Sequence, residues 1–223
     1  MFSPDGRLVQ VEYAKKTVRQ GTSAMGLVCK DGVLLVADKR ILDTFIVPES
    51  IEKVYQIDEH IAATASGILS DGRVLIEKAQ VMAQQHRVTF DGPMDTHSIV
   101  KEICNMKQAF TQYGGARPFG ISIIFGGIDD KTPRLFVTDP TGIYFEYKAT
   151  AIGEAETEIK EMLLKRYKEN ITVDDGIRLC VDILKKVLGK DFRMDRVDGA
   201  FIKNEDAKFQ RLKKDYVKKL VKE

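Results

Sequence analysis

Tryptophan is absent from this 223-residue chain, and cysteine and histidine occur only three times each. Cys29, Cys104 and Cys180 stand singly among apolar neighbours. That pattern excludes a disulfide framework or a cysteine zinc site and reads as small buried side chains in a reducing compartment. His60, His86 and His97 lie in unrelated contexts, with neither an HExxH pattern nor paired ligand spacing, so neither a metal nor a cofactor is expected. No GxSxG elbow is present. Gly114-Gly115 runs through Arg117-Pro118 toward a strand, so it lacks the helix N-terminus that a phosphate site needs. No apolar run approaches the ~20 residues of a helical membrane span, and Met1 is not followed by a secretory apolar region. Excess charge of one sign is also lacking: 35 Lys and Arg face 33 Asp and Glu, which gives no sign of nucleic-acid binding. Cytoplasm is the expected location.

What is present is punctuation. At this length the chain reads as one domain over residues 1–223, able to bury roughly 70% of its unfolded surface. It opens on Ser3-Pro4-Asp5-Gly6, where Pro4 fixes φ, Gly6 permits a left-handed residue and Asp5 is placed to bond turn amides. Leu8, Val11, Ala14 and Val18 follow at helical spacing, so residues 1–20 read as a turn and a helix. Ala24–Cys29 and Val33–Ala37 flank Asp31-Gly32, a hairpin signal of the type I′ kind. Ile51–Ile57 and Ile61–Ala65 form a second pair around Asp58-Glu59. Ser70 is expected to cap a helix carrying Leu75, Ala79, Met82 and Ala83, and a longer helix carries Ile99, Ile103, Met106, Phe110 and Tyr113.

Past Pro118, Ile121–Phe125 reads as a buried strand, and Leu135–Thr138 pairs with Ile143–Tyr147 across Asp139-Pro140-Thr141-Gly142. Two helices come next, the second opened by Thr172 and Asp175 in capping-box-like spacing. Val197–Ile202 is a late strand, and residues 204–223 read as a basic amphipathic helix with Phe209, Leu212, Tyr216 and Leu220 on one side. The order of strands, two helices, strands, two helices, strand and helix predicts an α+β fold. Two sheets that each need cover on both faces are satisfied by a four-layer αββα sandwich.

Phe2-Ser3-Pro4-Asp5-Gly6-Arg7-Leu8 followed by Gln10-Val11-Glu12-Tyr13-Ala14 resembles the signature of 20S proteasome α-type subunits. The resemblance continues through Ser50-Ile51-Glu52-Lys53 with Gln56-Ile57-Asp58, and Ala65-Ser66-Gly67 with Asp71 and Arg73. It extends through Tyr113–Gly120 and Glu146–Gly153, reaching about Ile202. It implies the Ntn-hydrolase fold and a subunit without catalytic residues. Such subunits form a homo-heptameric outer ring that caps the β subunits, admits unfolded protein substrates and docks regulatory ATPases.

The resemblance also implies roles for residues. Lys53 resembles a pocket lysine between neighbouring subunits that receives the C-terminal carboxylate of an activator; Gly67, Gly21 and Thr22 would supply close backbone approach and amide donors. Pro4, with Asp5 and Gly6, resembles the reverse turn whose displacement opens a gate, and Tyr13 resembles its aromatic partner. Glu12 and Lys15 read as exposed helix charges available to a docked partner. Tyr113, Gly114, Gly115 and Ala116 resemble the loop that lines the pore constriction, with Ala116 where the familiar motif has valine.

Two departures stand out. Family members carry a segment with Tyr-Asp-Arg ahead of the Phe-Ser-Pro turn; without it, an open pore and rapid basal peptide access are expected. Ile68-Leu69-Ser70-Asp71-Gly72-Arg73 also differs from the usual Leu-Val-Ala-Asp-Ala-Arg. Two other readings stay open. Gly21-Thr22-Ser23-Ala24 resembles the β-type processing site, so cleavage there would create an active N-terminal threonine hydrolase. The chain also reads as a monomeric domain whose basic tail binds an acidic partner.

Overall fold

Residues Gly32–Asp38 are buried without a break. A strand with no polar alternation needs cover on both faces, and that demand sets the architecture. The computed structural model describes residues 2–41, 43 and 45–222. Val9–Gln20 forms α1, Ala24–Cys29 β1, Gly32–Asp38 β2, Val54–Asp58 β3 and Ile61–Gly67 β4. Helices α2, Leu69–Phe90, and α3, Thr96–Phe110, precede β5, Ile121–Asp129, β6, Thr132–Thr138, β7, Tyr144–Glu146, and β8, Ala149–Ile152. The chain ends through α4, Glu156–Arg166, α5, Val173–Leu188, β9, Val197–Lys203, β10, Phe209–Arg211, and α6, Lys214–Lys222.

The strands form two antiparallel five-stranded sheets, ordered β10-β9-β2-β1-β8 and β3-β4-β5-β6-β7. Side chains of β2 alternate between two cores. Val33, Leu35 and Ala37 meet Ile124 and Leu135 between the sheets. Leu34 and Val36 face Ile177, Cys180 and Leu184 of α5. On the other flank, Leu75, Ala79 and Ala83 of α2 and Ile99 and Ile103 of α3 cover Ile121, Ile123 and Phe125 of β5. The layers are therefore helix, sheet, sheet, helix, as the element order predicts. Each fully buried aliphatic side chain contributes ~1.5–3 kcal/mol, so the three stacked cores hold the layers.

Local readings need correction in five places. The β1–β2 hairpin forms with Cys29 opposite Gly32, but neither loop residue, Lys30 or Asp31, has positive φ. Gly32 serves a different need: a Cβ there would strike the Ile202 carbonyl of β9. Asp31 instead accepts the Val173 amide at the start of α5, 2.8 Å away. The left-handed pair sits at Asp130 and Lys131, φ 48 and 65, in the β5–β6 turn.

Ser70 does not cap α2. The Ile68 carbonyl already accepts from Asp71 and Gly72, so the helix opens at Leu69. Of the two central helices α3 is the shorter, 15 residues against 22, and Tyr113 lies beyond its end. Strand β8 was not legible from pattern, because only four residues pair with β1.

The tail is not one helix. Phe209 pairs with Ile202 so that β10 extends the sheet, and only Lys214–Lys222 is helical. Its Val217 and Leu220 are buried against the α5 core, not spread over solvent. Thr172 does cap α5, accepting from the Asp175 amide at 3.1 Å.

Candidate functional site

The C-terminal turn of α1 is sewn to the sandwich where β4 ends and β5 begins. The Ser66 hydroxyl donates to the Val18 carbonyl at 3.1 Å, and the Thr17 hydroxyl shares its proton between the Ala14 carbonyl within α1, at 2.8 Å, and the Gly120 carbonyl, at 2.9 Å. Gly21 and Gly67 face each other so closely that a Cβ on Gly21 would strike Ser66 Oγ and the Gly67 amide. Gly67 has φ +126, and a Cβ there would meet the Gly120 carbonyl. Only glycine fits both positions, so the segment that follows α1 and the end of β4 pack backbone against backbone.

Lys53 reaches β4 from the start of the neighbouring strand β3. Its amide and that of Val54 donate to Asp198 Oδ2 at 2.8 and 3.1 Å, which fixes the start of β3. Its Nζ donates to the Ala65 carbonyl at 3.0 Å, two residues before Gly67. Lys53 is only 4% exposed, and burial pushes its ammonium down to about 8, against the upward pull of Asp38 and Asp198. Lys53 is thus bonded to β4 two residues from Gly67, which packs on Gly21, and the lysine is covered in the single chain.

Thr22 follows immediately. Its hydroxyl is buried and has no hydrogen-bond partner among the described residues. Its nitrogen is a peptide amide joined to Gly21, whose own amide donates to Val18 and whose carbonyl accepts from Glu154. A threonine nucleophile needs a base in contact with its hydroxyl. Lys53 points its amine at Ala65 instead. The three thiols are no alternative: burial raises Cys29 to about 12 and Cys104 to about 11, and Cys180 is likewise pushed up.

The opening turn lies at the far end of α1, roughly 18 Å along a 12-residue helix. Pro4 and Asp5 occupy its corner and Gly6 takes φ 72. The Gly6 amide donates to the Ser3 carbonyl at 2.8 Å. The side chain that caps the turn is Ser3, whose hydroxyl accepts from Arg7 at 3.1 Å; Asp5 makes none of the turn bonds. On α1, Glu12 is exposed and Tyr13 is 57% exposed, with Lys16 over its ring at 5.3 Å. Lys15 is already engaged within the chain, 3.6 Å from Asp139 Oδ2.

Tyr113, Gly114, Gly115 and Ala116 form an exposed turn closed by the Ala116 amide on the Tyr113 carbonyl at 3.1 Å. Gly115 takes φ +79, and the Tyr113 ring stacks on Phe110. Sequence reasoning treated Asp71 and Arg117 only as landmarks. The structure joins them in a two-pronged ion pair, 2.7 Å at each contact, and adds the Gly120 amide at 2.9 Å. Burial opposes the Asp71 charge, yet Arg117 and the Gly120 amide outweigh it and hold the carboxyl below its usual range. Two charged residues 46 positions apart give no signal in a linear pattern.

The sequence profile of the family described as proteasome subunit matches residues 18–202, and the profile for the N-terminal signature of A-type proteasome subunits matches residues 1–16. This chain belongs to the proteasome family. The second match places it with the α-type subunits, whose signature covers the turn and most of α1. The proteasome alpha subunit of Methanocaldococcus jannaschii is 46% identical over 99% of this chain and 84% of its own length. That of Pyrococcus abyssi is 45% identical over 99% and 84%. That of Methanosarcina thermophila is 45% identical over 97% of this chain and 88% of its own. Among the described residues, no helix is long and apolar enough to cross a membrane, and no group of three or more His, Cys, Asp or Glu is placed to hold a metal.

Proposed function

We propose that this chain is the non-catalytic subunit of the outer ring of a cytoplasmic proteasome core particle, seven copies closing a ring above the β subunits. The observation that carries this reading is the enclosure of Thr22. Its nitrogen is an amide, its hydroxyl touches no base among the described residues, and the helix before it is bonded to the body at Val18, Thr17 and Gly21. A chain sealed in this way contributes shape and docking chemistry to proteolysis performed by its partners.

In this reading the Gly21–Thr22 and Gly67 backbones, together with Lys53, receive the terminal carboxylate of an ATPase activator. Glycine at both positions lets an extended terminus approach the backbone, and the ammonium supplies a charge-assisted hydrogen bond. Docking then requires Lys53 to leave the Ala65 carbonyl for the carboxylate, a swap of one acceptor for a charged one. The Pro4-Asp5-Gly6 turn and Tyr13 stand at the gate, Glu12 and Lys15 flank the docked partner, and Tyr113–Ala116 lines the constriction through which unfolded polypeptide passes.

Co-expression with a β subunit tests this. The expected result is a native mass of stacked rings in which this chain keeps residues 1–21, with peptide hydrolysis that requires the β subunit. Hydrolysis by the purified chain alone, tracking cleavage before Thr22, would overturn it and favour the β-type reading.

A further inference from the structure

The loop from Thr111 to Gly120 is glycine-rich, exposed from Gln112 to Arg117, and holds itself only by the Ala116–Tyr113 turn bond and a bond from Arg117 to the Pro118 carbonyl. Something outside it must fix its position. At its downstream end three elements converge on one residue, Gly120. Its amide donates to Asp71 Oδ2, and its carbonyl accepts from the Ile68 amide and from the Thr17 hydroxyl, each at 2.9 Å, the hydroxyl proton being shared with the Ala14 carbonyl at 2.8 Å. A Cβ on Gly120 would lie 2.6 Å from Thr17 Oγ1 and 2.7 Å from Ile68 Cδ1, so α1, the start of α2 and the start of β5 meet without spare space.

Asp71 is the hub of this junction. It sits in the first turn of α2, where the helix dipole favours an anion, and its side chain is 9% exposed. It grips Arg117 at two points and the Gly120 amide at a third. A planar guanidinium held by both carboxylate oxygens fixes direction as well as distance.

We infer that Asp71 is the positioning residue for the Tyr113–Ala116 loop, and that Thr17 makes α1 part of the same anchor. The inference rests on the reading of that loop as the lining of the constriction. Thr17 lies on the helix that leads into the Gly21–Gly67 contact, so a partner that shifts α1 loads Gly120 through the shared Thr17 hydroxyl and through the tight packing of Thr17 Oγ1 on Gly120. The docking face and the pore loop then move as one body, with the Asp71–Arg117 pair resisting the displacement.

The experiment uses assembled particles with wild-type β subunits, carrying Asp71→Asn, Thr17→Val or Thr17→Ser. Amide hydrogen exchange at Ala116 and Gly120, whose amides are hydrogen-bonded, reports the anchor, and degradation of an unfolded protein relative to a short fluorogenic peptide reports the pore. Expected are exchange at least tenfold faster in Asp71→Asn, several-fold faster in Thr17→Val, and close to wild type in Thr17→Ser, which keeps the hydroxyl. The protein-to-peptide degradation ratio shifts in the same order. Thr17→Val leaves Gly120 bonded to Ile68, so this pair stays informative even where Asp71→Asn fails to fold. Exchange unchanged in Thr17→Val overturns the inference. Faster exchange with an unchanged degradation ratio upholds the anchor and removes the pore-lining reading.

Discussion

Lys53 donates through its Nζ to the carbonyl of Ala65 at 3.0 Å, so this buried ammonium is held by a neutral acceptor. A lysine kept this way has no fixed counter-ion in hydrogen-bond contact among the described residues and is free to exchange its partner. Replacing Lys53 with Ala removes a charge-assisted contact of ~1.5–3 kcal/mol, which is about 10- to 100-fold in activator affinity. Activator-stimulated degradation should collapse while ring assembly persists. Normal stimulation by Lys53→Ala particles sinks the assignment.

The same lysine gives a pH signature. Burial pushes it down to about 8, so its charge, which carboxylate docking requires, fades as pH rises through that value. Stimulation should decline between pH 7 and pH 9 in wild-type particles. In Lys53→Arg the decline should disappear, because a guanidinium stays protonated throughout. Titrating stimulation against pH for both proteins decides it, and parallel declines would refute the role of Lys53.

Lys107 is completely buried and donates to the Ile121 carbonyl at 2.9 Å and Thr138 Oγ1 at 2.8 Å, tying α3 to β5 and β6. Lys107→Met should destabilise the chain by about 1–3 kcal/mol, the cost of leaving buried acceptors unpaired. Burial lowers this lysine from 10.5 to about 8, so between those values the unfolded chain binds the extra proton and the native state gains stability as pH rises. The deficit of Lys107→Met relative to wild type should therefore widen from pH 8 to pH 10 in denaturant titrations. A constant or shrinking gap contradicts this.

Thr22 presents a buried hydroxyl without a partner among the described residues. Thr22→Val keeps the shape and removes the unpaired polar group, which should raise stability by roughly 1 kcal/mol. Peptide hydrolysis by the assembled particle should be unaltered. A loss of hydrolysis with intact assembly would return Thr22 to candidacy as a nucleophile.

Leu220 and Val217 of α6 are buried against α5, and Arg178 Nε donates to the Leu220 carbonyl at 2.8 Å. Leu220→Asp should cost about 2–4 kcal/mol, since it both empties an apolar site and buries a charge. Thermal denaturation checks this. An unchanged melting temperature would mean that α6 is only a solvated appendage.

Residue types alone determined the layer order, because β2 has no polar face, α2 and α3 repeat their apolar residues at helical spacing, and Thr172 carries its own cap chemistry. The opening turn and the family were also legible, since glycine and proline constrain the backbone wherever they occur. Folding decided what short-range pattern cannot encode. Asp31 looked like a turn residue but caps a helix 142 positions away. The tail's apolar stripe was divided between a strand and a helix because β9 offered Phe209 an unpaired edge. The grip of Asp71 on Arg117, the reach of Thr17 to Gly120 and the burial of Lys53 all depend on which surfaces meet. Hydrogen bonds between distant segments leave no periodicity in the chain, so only the closed structure reveals them.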